Sequence, residues 1–292
     1  MDTITPPERA GRHCQKTLNS LHSMAYFGPE LARDLAEYGV EDPMTVYLAA
    51  RSAALGAVGP GAVTAALYGF AHGLISRHVP RVWTLVAPGT VLELRLRAAD
   101  AVLRRGLGEE ALTGTEMAEA ADLALRAAGA AERSGRVMYS AHADQPVPRE
   151  PHLALWYAAT LLREHRGDAH IAALQHAGLG GLDALVADSA SEHGMPKEMG
   201  LANRGWTPRE WDAAEDRLRG RGLMDAGGRL TSRGVELRAD LEAETDRLDR
   251  APYERLGAAG VARLTELARG FTTAAATAGA FPADLREFFA PS

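Results

Sequence analysis

Cysteine is almost missing from this sequence of 292 residues, in which Cys14 is the single example. One thiol can form neither an intrachain disulfide nor a cysteine-based zinc cluster. Long apolar runs are missing too, because no stretch approaches the roughly 18 uncharged apolar residues of a membrane-spanning helix. Residues 1–12 are polar and lack the apolar segment of a signal peptide. We therefore expect a soluble cytoplasmic protein that has no membrane partner.

Lysine is also scarce, since only Lys16 and Lys197 occur among the 32 basic residues. Alanine and glycine are abundant, and a GC-rich coding sequence accounts for all three biases. The many arginines are therefore not by themselves a sign of phosphate binding. The net charge of −6 at pH 7 argues against a protein whose whole surface surrounds nucleic acid. A nucleic-acid partner is thus allowed but disfavoured.

Several common catalytic motifs are absent. The sequence contains no G-x-x-x-x-G-K-[ST] loop, no G-x-S-x-G elbow, no H-E-x-x-H and no G-x-G-x-x-G after a predicted strand. These absences argue against P-loop nucleotide chemistry, α/β-hydrolases, zinc proteases of that motif and Rossmann-type dinucleotide binding. We therefore predict no cofactor and no tightly bound metal.

Helix-type spacing of apolar residues dominates, and strand-like alternation is rare. With 46% hydrophobic and 24% charged residues, the chain can build a sizeable core. The pattern predicts an all-α fold with a helical N-terminal domain over residues 1–135. A proline-containing linker is predicted over 136–151, a winged-helix domain over 152–250, and terminal helices over 251–292. We expect the terminal helices to carry the contacts of a homodimer.

The clearest local signals lie in the predicted winged helix. Thr207 suits a helix N-cap and a proline follows it at the first helical position, so a helix is predicted over 208–221. Thr231 suits the cap of a second helix, over residues 232–249. Between the two helices, a glycine-rich turn at 225–228 predicts a small two-stranded wing. Its strands are predicted at residues 223–224 and 229–230.

The stretch RLRGRGLMDAGGRLTSRGVELR, residues 217–238, resembles the R-L-x-x-R-G-L…G…L-T-x-x-G core of MarR-type winged helices. Over nearly its whole length, the sequence also resembles a family of actinobacterial helix-turn-helix proteins of unsettled function. The resemblance implies a two-part all-helical body that carries a winged helix, and it implies no activity. The matching stretches are LHSMAYFGPE (21–30), AARSAALGAV (49–58), LWYAATLLREHRGDAHIAAL (155–174) and RGWTPREWDAAEDRLRGRGL (204–223).

A winged helix reads DNA only if its reading helix can approach phosphates and bases. Residues 208–221 contain four arginines and four acidic residues, and the acids lie in the turns that usually face the bases. We therefore favour a scaffold or dimer role for this helix over DNA binding. If DNA is bound, the expected contacts are Arg217 and Arg221 in the helix and Arg229 in the wing.

The charge-free stretch 153–162 predicts a central buried helix, and the densest polar cluster of the chain follows it. Gly167 suits the end of that helix, and Asp168 suits the N-cap of the next one. His165 and Arg166 fall where burial ends, so a ligand-binding cleft can open beside them.

His165 and His170 are candidates for acid–base catalysis, because histidine changes its charge near neutral pH. Arg166 supplies a fixed positive charge for an anionic or enolic ligand. A metal site made of both histidines with Glu164 or Asp168 is the less favoured alternative, since the spacing of five residues is not a standard ligand pattern.

Arg51 lies in a predicted helix that is otherwise uncharged. A buried arginine needs an anionic or hydrogen-bonding partner, because leaving it without one costs several kcal/mol. We expect either an internal ion pair, for instance with Glu30 or Asp168, or a ligand.

Tyr68 and His72 lie four residues apart in a helix predicted over 62–72, so they share one face. Together with Tyr26 they could form the aromatic wall of a ligand pocket. Alternatively, Tyr68 belongs to the core and His72 to the surface. The predicted ligand-binding residues are Arg51, Tyr68, His72, Arg166, Tyr26 and Trp156.

Two functions follow from these features. The favoured one is a small-molecule-handling protein with a His/Arg pocket between its halves, which includes the case of a cofactor-free acid–base enzyme. The alternative is a ligand-responsive transcriptional regulator that binds DNA, in which the same pocket shifts the position of the winged helix.

Overall fold

The computed structural model describes residues 6–7, 9–26, 28–192 and 194–281. Within these ranges the chain is all-α, as the sequence predicts, with fifteen α-helices and two short 3₁₀ turns. The helices are α1 (Ala10–Ser23), α2 (Glu30–Ala36), α3 (Pro43–Ser52), α4 (Pro60–Ala66), α5 (His72–His78), α6 (Val82–Leu85), α7 (Pro88–Thr113), α8 (Thr115–Ala128), α9 (Val137–Ala143), α10 (Pro151–His176), α11 (Gly181–Ser189), α12 (Lys197–Arg204), α13 (Pro208–Gly220), α14 (Ser232–Leu248) and α15 (Ala251–Thr277).

The prediction of a two-stranded wing is wrong. In the part of the chain that the structure describes there is no β-strand, and Met224 and Leu230 form one isolated antiparallel bridge. The loop between α13 and α14 closes tightly, because Asp225 accepts the backbone N–H of Arg229 at 2.9 Å. Thr231 then already caps α14. Too few residues remain on either side of the turn to extend a ladder.

The largest core forms around α10, which packs against α1, α7 and α8. Helices α1 and α15 also contact each other, so the two ends of the described chain lie side by side. A second core lies among α2 to α7, and a third joins α11, α13 and α14 to the C-terminal half of α10. Helix α9 lies inside the predicted linker, and the domain boundaries stay a prediction.

Helix α15 buries Leu264, Ala268 and Phe271 within the largest core of its own chain. The predicted homodimer contacts of the terminal helices therefore stay a prediction. The end of these predicted helices, from residue 282 onwards, lies outside the described residues.

Helix α10 runs without interruption through Gly167 and Asp168, so the predicted helix break at this point is wrong. A glycine inside a helix costs about 1 kcal/mol, and α10 is packed against α8, α1, α9 and α14 along its length. Asp168 caps a different helix. Its Oδ2 accepts the backbone N–H groups of Met138 and Tyr139, at 3.0 and 2.9 Å, in the first turn of α9.

The single helix predicted over 62–72 is also wrong. Helix α4 ends at Ala66 and α5 begins at His72, so Tyr68 and His72 do not share a helix face. A long-range hydrogen bond holds the backbone between the two helices, since the N–H of Ala71 donates to the carbonyl of Arg204 at 2.9 Å.

The predicted N-terminus of α13 is confirmed. Thr207 accepts the backbone N–H of Glu210, and the Glu210 carboxylate binds back to the backbone N–H of Thr207. Pro208 occupies the first helical position, where its missing N–H costs nothing. The helix ends at Gly220, one residue before the predicted end.

No single helix in the described ranges is both long and apolar enough to cross a membrane. The segments Pro43–Leu55 and Pro60–Ala66 reach that length and composition only as a pair, and the chain bends by 90° between them.

Candidate functional site

A cleft of about 660 Å³ is formed by α1, α3, α10, the segment 66–70 and the C-terminal end of α12. Its walls are cationic, although the chain as a whole carries a net charge of −6. This excess of positive charge favours an anionic ligand. The basic residues that line the cleft are Arg12, Lys16, Arg51, Arg163, Arg166 and Arg204, and the acidic ones are Glu164, Asp168 and Glu242.

Arg51 is buried with an anionic partner, as the sequence predicts, but the suggested partners Glu30 and Asp168 are wrong. Its Nη2 donates to Oε2 of Glu164 at 3.2 Å, and Arg163 donates to the other oxygen of Glu164 at 2.5 Å. Glu164 is 3% exposed. Burial raises the pKa of its carboxyl, but the guanidinium groups of Arg163 and Arg51 outweigh burial and lower this pKa to about 2. The carboxylate is therefore charged between two arginines.

Tyr47 lies one helical turn before Arg51 on α3, and its hydroxyl accepts a hydrogen bond of 3.4 Å from Nη1 of Arg51. Burial raises the pKa of this phenol, while the charges of Arg51, Arg163 and Arg204 lower it, and the net shift is downward. A tyrosine that releases its proton more easily is suited to acid–base chemistry. Tyr47 is not among the residues predicted from the sequence, although its spacing of four residues from Arg51 is a visible signal.

Arg204 is the last residue of α12 and lines the cleft. Its guanidinium carbon lies 4.3 Å from the centre of the Phe70 ring, and it has no carboxylate partner among the residues that the structure describes. Burial lowers its pKa. A half-buried cation with only an aromatic ring beneath it remains available to an incoming anion.

His165 and Arg166 both lie near Asp249, whose Oδ2 is 3.8 Å from Nη1 of Arg166, but they differ in their relation to the cleft. The Nδ1 of His165 is 2.5 Å from Oδ1 of Asp249, and these side chains are 1% and 2% exposed. Arg166 lines the cleft and donates to Asp246 and Glu242 of α14 at 2.8 and 2.9 Å. The structure thus places Arg166 at the cleft and gives His165 a buried partner away from the cleft lining. The acid–base role of His165 stays a prediction.

His170 also lines the cleft, and its Nδ1 lies 3.0 Å from the hydroxyl of Thr245. Burial lowers the pKa of His170, so the neutral imidazole is favoured. Arg51, Arg166 and His170 are therefore the predicted site residues that the structure brings to one cleft.

The predicted aromatic residues are spread over three places. Trp156 is buried and Tyr26 is half-buried, and both lie next to His22, with ring-centre distances of 5.3 and 5.5 Å. Tyr68 donates to the carbonyl of Leu179 at 2.8 Å and lines a smaller pocket of about 270 Å³. His72 is exposed and interacts with Thr64 and Ser76.

Arg95 is a buried polar residue that is not among the predicted site residues. It is 4% exposed, and it lies on α7 among the buried positions Val91, Leu94, Ala98 and Val102. An arginine inside an i, i+3, i+4, i+7 apolar pattern was the signal that could have identified it.

Helices α12 and α13 are joined by a turn of three residues, 205–207. Gly205 adopts the left-handed conformation, with φ of 77°, and a Cβ at this position would lie 2.5 Å from the Cβ of Leu74. Only glycine fits both the turn and its contact with α5. Two helices joined by such a short glycine-containing turn have the connection typical of a helix-turn-helix, and the sequence predicts α13 as its reading helix.

A helix-turn-helix family matches residues 11–282 of the sequence. The chain belongs to this helix-turn-helix family. No curated protein and no solved structure matches the chain. The family thus covers both the cleft and the helix-turn-helix, and its description favours the DNA-binding alternative over an enzyme.

The arginines predicted to contact DNA are engaged within the chain. Arg217 donates to Asp183 at 3.0 Å, and Arg229 donates to Asp225 at 3.2 Å. Arg221 donates to two backbone carbonyls before α11, at 2.8 and 2.9 Å. Arg217 and Arg229 remain at least half exposed, so their weak surface pairs can be exchanged for phosphate contacts.

Within the described ranges, no group of three or more His, Cys, Asp or Glu residues is placed to hold a metal ion. Cys14 is buried, and burial raises the pKa of its thiol to about 11. The expectation of no metal and no cofactor stays a prediction.

Proposed function

We propose that the protein is a ligand-responsive transcriptional regulator that binds DNA, and that its ligand is an anionic small molecule in the cationic cleft. The observation that carries this proposal is that Arg204 belongs to two parts of the structure at once. This residue ends the first helix of the helix-turn-helix and also lines the cleft.

The connection between cleft and reading helix is short. The carbonyl of Arg204 accepts the N–H of Ala71 at 2.9 Å, and the indole N–H of Trp206 donates to the carbonyl of Gly69 at 2.9 Å. Trp206 lies in the turn before α13. A ligand that attracts Arg204 away from Phe70 acts on the segment that positions α13. Such a ligand shifts the population of reading-helix positions by its differential affinity for them.

The surface of the helix-turn-helix offers cations for DNA. Arg209 at the start of α13 and Arg233 at the start of α14 are exposed and have no carboxylate partner in the described part of the chain. Arg217 and Arg229 are exposed members of surface ion pairs. Each arginine that contacts a phosphate contributes to affinity in a salt-dependent, sequence-independent manner.

DNA binding is tested by selecting from a pool of random duplexes at moderate salt and measuring gel retardation of the selected duplex against a scrambled one. We expect Arg229→Glu and Arg217→Glu to weaken binding and to flatten its salt dependence. Arg126→Glu is the matched control, because Arg126 forms an exposed i, i+4 pair with Asp122 on α8. Equal affinity of all variants for the duplex, or no sequence preference, would remove the regulator from consideration.

A homodimer belongs to the same proposal, because two copies of a helix-turn-helix read two half-sites one helical turn apart. Light scattering after size-exclusion chromatography is expected to give twice the 31.1 kDa chain mass. A mass of one chain at the concentrations used for DNA binding would contradict the dimer.

Tyr47 favours a second candidate function, a cofactor-free acid–base enzyme in the same cleft. Its hydroxyl faces the guanidinium of Arg51, and three nearby arginines lower its pKa. Incubation of candidate anionic compounds with the wild type and with Tyr47→Phe, followed by mass spectrometry, distinguishes the two functions. Turnover that Tyr47→Phe loses supports the enzyme, whereas unchanged compounds that alter DNA retardation support the regulator.

A further inference from the structure

Three buried polar side chains lie in the interior of the protein and are absent from the lining of the cleft. They are His22 on α1, Arg95 on α7 and His142 on α9, and they are 0%, 4% and 3% exposed. We call them the inner cluster. Neither the predicted site nor the helix-turn-helix uses them.

Arg95 forms no hydrogen bond or salt bridge with a carboxylate of the described residues, and Glu164 acts on it only through its charge. Its Nη2 donates to Nε2 of His22 at 3.2 Å and to the hydroxyl of Tyr26 at 3.5 Å, and its guanidinium lies 4.9 Å from the centre of the Trp156 ring. All three partners are neutral, and its Nε has no partner among the described residues. A buried guanidinium with an unused donor is costly unless an anion compensates it.

Among the described residues, His22 adds a further donor that faces no acceptor, and His142 adds a buried ring nitrogen without a partner. Because Nε2 of His22 accepts from Arg95, the neutral ring carries its proton on Nδ1. This Nδ1 is buried and finds no partner in the described chain, and the same holds for Nε2 of His142. Burial and the surrounding guanidinium groups lower the pKa of both rings, that of His142 to about 3, so neither histidine competes as a cation.

The charges around the inner cluster do not balance. Besides Arg95, the guanidinium groups of Arg51 and Arg163 act on both histidines, whereas Glu164 is the carboxylate that acts on His142. The Nε of Arg51 is buried and also lacks a partner among the residues described. A bound oxyanion beside Arg95 and His22 would satisfy their unused donors and reduce the excess of positive charge.

A row of aromatic rings leads from the inner cluster to the cleft. Ring-centre distances are 5.3 Å from Trp156 to His22, 5.5 Å from His22 to Tyr26, 6.1 Å from Tyr26 to Tyr47 and 5.9 Å from Tyr47 to Phe70. Tyr47 and Phe70 line the cleft. Flat apolar ligands pack against such rings in offset or edge-to-face geometry.

We propose that the inner cluster is an oxyanion-binding site, which takes the carboxylate of an aromatic acid and forms the inner end of the ligand site in the cleft. This inference rests on the proposed function, which it deepens by naming the ligand class. The carboxylate accepts from Arg95 and from the Nδ1–H of His22, and the aromatic body lies along Tyr26 and Tyr47 towards Phe70.

The test is isothermal titration of the full chain with benzoate, with the neutral isostere benzamide, and with inorganic phosphate. We expect the wild type to bind benzoate in preference to benzamide, and Arg95→Met to lose about tenfold or more of that affinity. Arg97→Met is the matched control, because Arg97 lies two residues further along α7 with an exposed side chain. Its affinity for benzoate is expected to equal that of the wild type.

The melting temperatures of the ligand-free variants test whether the role of Arg95 is purely structural. The Arg95→Met variant loses a buried cation that is bonded to no carboxylate of the described residues. Its melting temperature is therefore expected to equal or exceed that of the wild type. If Arg95→Met does not fold, His22→Leu takes its place, because it removes the Nδ1–H donor, and it too is expected to weaken benzoate binding.

Equal benzoate affinity in wild type and Arg95→Met, or no benzoate binding, overturns the proposal. Binding of phosphate without benzoate overturns the aromatic-acid assignment. The titration contains no DNA, so its failure leaves the DNA-binding function standing, and failure of the gel retardation leaves the anion site standing.

Discussion

Arg204 lies over the ring of Phe70, with 4.3 Å between its guanidinium carbon and the ring centre. The contact joins the end of α12 to the segment between α4 and α5, and both residues line the cationic cleft. Helix α13, the proposed reading helix, begins only four residues after Arg204. We propose that this side chain links occupancy of the cleft to the position of α13.

Substitution of Glu164 tests the charge balance of the cleft wall. Glu164→Gln leaves the buried guanidinium of Arg51 without an anion, so we expect a loss of about 3–5 kcal/mol in the free energy of unfolding. The control is Glu254→Gln, which breaks an exposed i, i+4 pair with Arg250 and should cost less than about 1 kcal/mol. Chemical denaturation measures both. Equal, small losses would show that Glu164 does not compensate Arg51.

Substitution of Asp168 tests how much its side chain stabilises the protein by capping the N-terminus of α9. Asp168→Ala removes the acceptor of two backbone N–H groups and is expected to cost about 0.5–2 kcal/mol. Asp168→Asn keeps one side-chain oxygen, and burial raises the pKa of Asp168 to about 6, so the neutral amide should cost less than alanine. The comparison is made by denaturation at pH 7. An asparagine variant as unstable as the alanine variant would contradict the capping role.

His142 gives the protein a pH dependence of known sign. An unfolded chain protonates histidine near pH 6.5, whereas burial and nearby arginines hold the pKa of folded His142 at about 3. The unfolded state thus binds more protons between these values, and the free energy of unfolding falls as the pH falls through this window. His142→Leu should lose this part of the dependence.

The matched control for the pH experiment is His176→Leu, because His176 is exposed at the end of α10. Its denaturation profile from pH 7 to pH 4 is expected to follow the wild type. Asp168 contributes with the opposite sign, since its pKa is raised, but it is present in all three proteins and cancels in the comparison. Parallel profiles for wild type and His142→Leu would refute the assignment. The charged and titratable groups that act on His142 are Arg95, Glu164, Arg51 and Arg163.

His165→Ala separates a structural from a catalytic role for His165. Its Nδ1 lies 2.5 Å from Asp249 in the interior, so the variant removes the hydrogen-bond partner of a buried carboxyl and leaves it only the more distant Arg166, at 3.8 Å. We expect a marked drop in melting temperature while the benzoate affinity of the folded fraction is kept. A variant of normal stability with impaired ligand binding or turnover would instead support the acid–base role predicted from the sequence.

Local signals in the sequence predicted local structure well. Thr207 and Thr231 cap α13 and α14 as predicted, because a cap depends on residues within one helical turn. The burial of Arg51 followed from the apolar residues around it in its own helix. Its partner Glu164 lies 113 residues away, and no pattern in a single sequence specifies such a pairing.

Features that depend on packing were not predictable from sequence in the same way. The glycine at 167 suggested a helix end, but the surrounding helices keep α10 continuous. The prediction of a wing is wrong because Asp225 and Thr231 close the loop before strands can pair. Arg95 was not predicted as a site residue, because what distinguishes it is its contact with neutral side chains on other helices.

The most direct test is the affinity for the selected duplex, measured by fluorescence anisotropy with and without benzoate, in wild type and Arg204→Ala. We expect benzoate to change the wild-type affinity by about fivefold or more, as coupled sites do, and to leave Arg204→Ala unchanged. Arg209→Ala, which alters the same helix-turn-helix outside the cleft, should bind more weakly and still respond. An equal response of wild type and Arg204→Ala, or no response of the wild type, would contradict the coupling of cleft and reading helix through Arg204.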